Sequence, residues 1–398
     1  MYIFLAYTVS MLELLSMVVF TSYLIQLFHV MVSIYGLYSS ISSEVWINPP
    51  PNSSSRVCIL IPVYMENVES IMKSFNSIVK QKYPRSLMRV IVIAERNDGD
   101  TIRNVEKCLP VLEEHNIRYK LVIKDSPRSS KASSLNYVLN DVYEDIVGVY
   151  DADDDVADEY QIAKAVGMIN SGYDALGVKV YRVGEGILQS LAMIDCIFWY
   201  EILLPALSRI LGCPLISGEG LFITRKTLKN LSGFPEALAE DAMLSIYFIS
   251  KKLNVGLMNS IVYEKAPSNI LSLVKQRIRW HRGYFQCVVK TLKTEIPLKT
   301  KVILLMVYLS PLGLFAVSIA FTHLLLVVTI NVGSTVMLWW SLAIVLGSFL
   351  APFSIIEEKY RINYISMLLY TPYRIMLGFV AILSLIIPRV SWYKTMRN

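Results

Sequence analysis

The chain is short of charge and of cysteine. Only 18% of its 398 residues are Asp, Glu, Lys or Arg, against roughly 25% in an ordinary soluble domain. Meanwhile 54% are hydrophobic and mean hydropathy is +0.47, which excludes a simple soluble enzyme. The five cysteines, Cys58, Cys108, Cys196, Cys213 and Cys287, contain no CxxC pair. Neither a disulfide framework nor a zinc knuckle is therefore encoded, and a reducing compartment is expected. The excess of positive charge is small, +6, which suits a basic membrane-facing surface and not a nucleic-acid binder. The N-terminus lacks a basic n-region, and its apolar run is too long for a cleaved signal peptide.

What the chain has is long apolar runs around a charged centre. Tyr2 to Ile41 is almost uninterruptedly apolar, with Glu13 its only formal charge. A span takes about 20 residues, and no Gly/Pro/Asn turn divides the run near its middle, so one long or overhanging helix is predicted. After the charged centre, Glu44 to Lys301, come Val302–Ile330 and Val332–Ile356, separated by Asn331 with Gly333 and Ser334 just beyond. These predict a membrane hairpin. Tyr364–Ile387 carries Arg374 and Pro372 and ends at Pro388. A central arginine costs about 2.5–3.5 kcal/mol on insertion scales, so an interfacial or shallow re-entrant helix is expected. Lys299, Lys301, Lys359, Arg361, Arg389, Lys394 and Arg397 flank the spans, while the hairpin tip has no basic residue. The charged centre and the tail are thus expected on the cytoplasmic side of a plasma membrane crossed several times. On that topology the sequon at Asn52 goes unused.

The centre reads as strands alternating with helices. Val57–Ile61, Val90–Ile93, Tyr119–Ile123 and Ile146–Tyr150 are short apolar runs, and helical patterns precede Val79 and cover Ser129–Asn140 and Glu159–Asn170. This predicts a mostly parallel sheet covered by helices, with ligands beyond the carboxyl ends of the strands. Gly184–Leu211 is long and apolar, with Arg182, Glu185 and Arg209 near its ends. It reads equally as a core helix or as one docked on the membrane surface.

Three constellations carry chemistry. Asp151 and Asp153 follow the fourth strand, and Asp154 and Asp155 extend the run. Such carboxylates at a strand end can share a hard divalent cation with phosphate oxygens, or form a solvated turn. Glu240 and Asp241 open a helical pattern after Gly233 and Pro235, as a helix cap or as a general base. Gln276, Arg279 and Trp280 share a helical face. That face is either a basic interfacial helix with Trp at the headgroup level or a lip where Trp stacks a sugar and Arg offsets phosphate.

Taken together and in this order, the motifs resemble those of the membrane-integrated family 2 glycosyltransferases, the cellulose, chitin and hyaluronan synthases and their relatives. Pro62, Tyr64 and Glu66 are similar to the family's P-x-Y-N-E, with Met65 in place of Asn. Lys131 to Asn136 resembles KxxxLN, Asp151/Asp153 the DxD, Glu240-Asp241 the ED, and Gln276–Trp280 the QxxRW. Ser217-Gly218 resembles the turn before the acceptor site, and Trp392 to Arg397 the C-terminal W-x-K-T or W-x-T-R element. The similarity runs from about Val57 to Arg397. Glu201 with its neighbours Trp199 and Tyr200 looks most like the cellulose-synthase branch. One departure stands out: where many relatives have an Asp pair after the second strand, this chain offers Glu95 as the positional match and Asp98 as the chemical one.

The resemblance implies a GT-A fold, α/β with a mostly parallel sheet, flanked by transmembrane and interfacial helices. The organisation it implies is an N-terminal membrane region (1–43), a cytoplasmic transferase domain (44–298), a membrane hairpin (299–357) and an interfacial helix with a gating tail (358–398). The implied reaction is inverting transfer from a UDP- or GDP-sugar, with Mg²⁺ or Mn²⁺ on Asp151 and Asp153 and Asp241 as base. Tyr64, Glu66, Glu95, Asp98, Lys131, Asp151 and Arg279 would surround the donor, and Trp392, Lys394, Thr395 and Arg397 would close over it. Ser217, Gly218, Glu240, Gln276, Arg279 and Trp280 would seat the acceptor. A processive β-glycan synthase that threads its product across the membrane is the leading expectation, with a homo-oligomer or partner supplying further channel walls. The alternative is transfer of one sugar to a membrane lipid, as in ceramide glucosyltransferases. A silent scaffold or transporter is the remote third, since a transporter's spans should carry more ionisable residues than Glu13 and Arg374.

Overall fold

The computed structural model describes residues 2–38, 41–125, 130–330, 335–350, 353 and 362–387. Among them nine strands form one sheet: β1 (Trp46–Ile47), β2 (Val57–Val63), β3 (Met88–Glu95), β4 (Arg118–Lys124), β5 (Ile146–Val149), β6 (Asp155–Val156), β7 (Ala175–Val183), β8 (Leu221–Thr224) and β9 (Val255–Lys265). Their order is β1-β9-β7-β8-β5-β2-β3-β4, with β6 on β9. β2 runs parallel to both β3 and β5, while β8 is antiparallel to β5 and β7. Every residue of β2 and β3 is buried, which is why they read as unbroken apolar runs and not as alternating ones. The expected mostly parallel α/β sheet is present.

The chain leaves β2 outward through β3 and β4, then returns to place β5 on β2's other side. That reversal opens a crevice at the carboxyl ends of β2 and β5. α2 (Val68–Val79), α3 (Gly99–Glu114), α4 (Lys131–Tyr137) and α5 (Gln161–Asn170) cover the sheet, one core lying between it and α2, α3 and α5. Asn67 and Ser130 cap α2 and α4 by accepting from Ser70 N and Ser133 N at 2.8 and 3.0 Å.

A second core joins the sheet to the apolar helices. α1 (Tyr2–Tyr38) has 37 residues, so it is about 55 Å long and overhangs a bilayer core of about 30 Å. α6 (Ile187–Leu211) is mostly buried within the protein, which favours its core reading. It contains a π-helical turn, Phe198–Leu203. Gly36 of α1 lies so close to this turn that a Cβ there would meet Ile202 O at 2.5 Å. α7 (Glu240–Ser250) and α8 (Ile270–Lys293) complete the globular part.

The predicted span Val302–Ile330 is divided in two, α9 (Leu298–Tyr308) and α10 (Ser310–Ile330). Pro311 supplies the reason: without an N–H it starts a helix readily and continues one poorly. α9 packs into the globular core, and Tyr308 is buried there. α11 (Thr335–Leu350) returns beside α10. α12 (Tyr364–Ile386) bonds the globular unit near both ends. At its start, Asn363 N donates to Ser190 Oγ at 3.1 Å, and at its finish Arg282 Nη1 donates to Ser384 O at 3.2 Å. Four helical segments among the described residues are long and apolar enough to cross a membrane: Ser16–Leu37, Ile187–Leu211, Ser310–Thr329 and Tyr364–Ile386. They give the chain its membrane-associating part.

Candidate active site

The crevice beyond β2 and β5 is where the sequence motifs meet. Tyr64 and Glu66 follow β2, Lys131 opens α4, Asp151 and Asp153 follow β5, and Ser217, Gly218 and Glu219 precede β8. Glu240 and Asp241 form the first turn of α7, and Arg279 and Trp280 lie on α8. All of these line a single cavity of about 680 Å³.

Lys131 is its electrostatic centre. Its Nζ lies 2.6 Å from Asp151 Oδ1 and 3.9 Å from Glu240 Oε1, and donates to Gly218 O at 3.1 Å. Burial opposes its charge, but Asp151, Glu219 and Glu240 outweigh that and raise its pKa. Near it three carboxyls, those of Glu219, Glu240 and Asp154, are held toward their neutral forms. Burial and Glu264 push Glu219 up to about 8 against the pull of Lys131. Burial, with Asp241 beside it, raises Glu240. Burial and the neighbouring Asp151 and Glu219 raise Asp154 well above the carboxylate range, and its Oδ2 accepts from Asp151 N at 2.8 Å. Gly218 leaves room for this arrangement: a Cβ there would stand 3.3 Å from both Lys131 Nζ and Glu240 Oε1, a tight contact that would press on both side chains.

Oxygen ligands for a cation converge around Asp151. One carboxylate oxygen each from Asp151, Glu219 and Glu264 lie within 4.8 Å of one another. Asp153 lines the cavity but stands outside this trio. Sequence reasoning missed Glu219 and Glu264. Glu219 adjoins the glycine turn and was within reach of a motif argument. Glu264 is brought in only by the pairing of β9 with β7, and its Oε2 lies 2.8 Å from Arg182 Nε.

α8 forms the opposite wall. Gly283 lets it approach the loop before Asp241, since a Cβ there would meet Ala239 Cβ at 2.5 Å. Arg279 Nη1 donates to Leu238 O at 3.1 Å in the same loop. The guanidinium groups of Arg182 and Arg277 stand over the Trp280 ring at 4.7 and 4.5 Å from its centroid. A sugar therefore has less of that ring to stack on than the sequence suggested. Arg277 in turn lies 3.0 Å from Asp195 Oδ2, an oxygen that also accepts from Tyr373 at 2.7 Å.

Several expected residues stand elsewhere. Glu95 is buried away from the cavity, accepting from Ser134 Oγ at 2.7 Å, with Lys124 Nζ 3.8 Å distant. Asp98 caps α3, accepting from Thr101 N at 3.2 Å, and takes Met65 N at 2.5 Å. It shapes the Tyr64–Glu66 loop without lining the cavity. Gln276 is also buried, and it does not line the cavity. Trp392, Lys394, Thr395 and Arg397, with the hairpin tip and the basic residues of the tail, lie outside the described residues.

From these carboxylates the cavity continues between the apolar helices. There it is lined by Gln26, His29, Val30 and Ile34 of α1, by Gly347 and Leu350 of α11, and by Arg374 of α12. Residues 147–354, more than half of the chain, match the family model described as Glycosyl transferase family group 2. The chain belongs to that family. Residues 58–212 also match the model described as Glycosyl transferase family 2. This protein is thus an enzyme, a nucleotide-sugar glycosyltransferase of family 2. A probable glycosyltransferase of Bacillus subtilis (strain 168), YdaM, is 26% identical over 372 residues, covering 86% of this chain and 87% of that protein. A beta-monoglucosyldiacylglycerol synthase of Synechocystis is 25% identical over 241 residues, 58% of this chain and 48% of that protein. Among solved structures, the mannosyltransferase PcManGT from Pyrobaculum calidifontis, in complex with GDP-Man and Mn²⁺, superposes with a TM-score of 0.59. It is 20% identical, with 90% of this chain and 99% of that one covered. At that identity the likeness establishes the GT-A fold.

Proposed function

We propose that this glycosyltransferase moves one sugar from a nucleoside diphosphate to a hydroxyl of a membrane lipid. The observation that carries the proposal is the cavity's side mouth. Val30, Ile34 and Leu37 of α1 and Leu350 of α11 line it, yet are 37%, 60%, 49% and 58% exposed. α1 and α11 meet where Tyr23 and Ser341 hydroxyls lie 3.0 Å apart, and open toward the globular unit around Gly347, where an added Cβ would meet nothing within 4 Å. An aliphatic opening beside a catalytic carboxylate suits acyl chains entering from the bilayer. The similarity to a glucosyldiacylglycerol synthase points the same way. A secreted polymer needs a polar, protein-walled path across the bilayer. With α12 tied near both ends to the globular unit, α1, α10 and α11 are left to wall it. We therefore favour the lipid reading over the processive one, and we read the globular unit, with Lys299 and Lys301 on α9, as cytoplasmic.

In this mechanism Asp241 takes the proton of the acceptor hydroxyl. The freed oxygen pair attacks the anomeric carbon from the face opposite the diphosphate, and the carbon–oxygen bond to the diphosphate breaks with its electrons leaving on phosphate. Tyr64 and Glu66 would border the nucleotide, and Lys131 would hold Asp151 in place. The oxygen-rich donor set fits a hard divalent cation, which Asp151 would hold with Glu219 and Glu264, Asp153 standing on the same cavity wall. When bound, such an ion offsets charge on the departing diphosphate. Arg279 keeps the Leu238 loop, and with it Asp241, against α8.

The test uses the full chain in lipid nanodiscs with Mn²⁺ and a panel of radiolabelled nucleotide sugars. Label is expected in the organic phase as a monoglycosylated lipid. Asp241→Asn should lower it by about 10²–10⁴-fold. A high-molecular-weight polymer from any one donor would overturn the lipid reading.

A further inference from the structure

We propose that the acceptor lipid carries a phosphate, and that Arg374 is its seat. The inference rests on the lipid reading above and narrows it to hydroxyl-bearing anionic phospholipids. The cavity's charge is unevenly placed. Asp151, Asp153, Glu219, Glu240 and Asp241, with Glu66, gather at the donor end. Beside the apolar helices its wall carries the paired Asp195 and Arg277 and, in the middle of α12, Arg374.

No carboxylate among the described residues pairs with Arg374. Asp195, which shares Tyr370 with it, is already held by Arg277 at 3.0 Å, Tyr370 at 3.0 Å and Tyr373 at 2.7 Å. Arg374's guanidinium stands 5.9 Å from the Tyr370 ring centroid, and its Nε is buried without a hydrogen-bond partner among the described residues. The same cavity holds a neighbouring imidazole and a hydroxyl. His29 is within electrostatic reach of Arg374, and its Nδ1–H donates to Ile25 O at 2.8 Å, so its Nε2 is left as an acceptor. Ser348 Oγ is buried and has no partner among the described residues. An arginine with a tyrosine hydroxyl but no carboxylate for a partner is costly beside lipid unless an anion completes it, and a guanidinium matches a phosphate. A neutral diglyceride would leave that charge unanswered. With the phosphate at Arg374 and acyl chains leaving past Val30, Ile34 and Leu350, the headgroup hydroxyl points up the cavity toward Asp241.

The experiment reads binding separately from transfer. The full chain in neutral detergent is mixed with phosphatidylglycerol or with diacylglycerol of the same acyl chains, and occupancy is measured by native mass spectrometry. Wild type should prefer phosphatidylglycerol by at least about tenfold, as expected of charge-assisted hydrogen bonds. Arg374→Gln should abolish that preference without weakening diacylglycerol binding, and Arg374→Lys should retain most of it. Should Arg374→Gln fail to fold, His29→Glu places a carboxylate within reach of Arg374 and should expel phosphatidylglycerol. Equal binding of the two lipids by wild type, or undiminished phosphatidylglycerol binding in Arg374→Gln and His29→Glu, overturns the inference. Arg374-dependent binding without any labelled lipid product keeps the phosphate seat and sinks the transfer reading. Glycosylated diacylglycerol formed independently of Arg374 does the reverse.

Discussion

Lys131 is the residue on which the site's charge balance turns. It is the cation that faces Asp151 and Glu240 and reaches the Gly218 carbonyl. Lys131→Met keeps the side chain's length but leaves those carboxyls without their counter-charge, and breaking a buried pair this way costs about 3–5 kcal/mol. We expect a lower thermal midpoint together with a loss of kcat/KM of more than about a hundredfold, read in detergent and in nanodiscs respectively. His281, on the same wall, makes a different prediction. Burial, aided by Arg277, lowers its pKa to about 3. Between pH 6.5 and 3 the unfolded chain therefore binds a proton that the folded one refuses. Its stability contribution is present above about 6.5 and is lost as pH falls below, by up to about 1.4 kcal/mol per pH unit. His281→Phe should flatten the acid side of a thermal-midpoint-versus-pH curve. An unchanged slope would show that His281 charges freely in the folded protein.

At the scale of elements, α8 and α12 decide how the motifs are used. α8 carries Arg277, Arg279 and Trp280, and its distance from the loop before Asp241 is set by Gly283 against Ala239. Gly283→Val would force those backbones apart. Overpacking of this kind costs about 1–3 kcal/mol, so the fold should survive while turnover falls by about tenfold or more, visible as a drop in kcat with nucleotide binding retained. Arg374 weighs against α12 crossing lipid, and its tertiary contacts bear on where its ends lie. Ser190 meets Asn363 and Arg282 reaches Ser384, so a helix of about 35 Å lies along the globular unit. The five native cysteines are buried, giving a quiet background for thiol labelling. Cysteines placed at Asn363 and Ile387 should both react from the side that labels one placed at the exposed Glu236. Labelling from opposite sides would make α12 a span.

For the whole molecule, the cavity joins two solvents. Its donor end is built by the sheet's reversal between β2 and β5, where polar loops gather. Its other end opens among aliphatic side chains of α1 and α11. On the proposed function, a water-soluble sugar donor and a lipid acceptor would approach one carboxylate from different phases, and neither would have to cross the other's medium. Nanodisc product analysis tests this at the scale where it belongs, since only the assembled sheet, α8 and apolar helices create that route.

The sequence by itself determined the strands β2, β3, β4 and β5, the long first helix and the order of motifs that marks the family. These are local signals: apolar period, run length, glycine and proline punctuation, and charged residues at fixed spacing. Asp151, Lys131, Glu240 and Asp241 could be named in advance because each sits at the end of such an element. Only the tertiary structure decided which carboxyls meet. Glu264 reaches Asp151 through a strand pairing far along the chain, while Glu95, apparently well placed, turns to Lys124. Likewise it was packing that took Gln276 off the cavity wall and put Arg374 on it. Local pattern fixes where a side chain starts along its element. The partner it finds depends on burial and charge contributed by residues a hundred or more positions away.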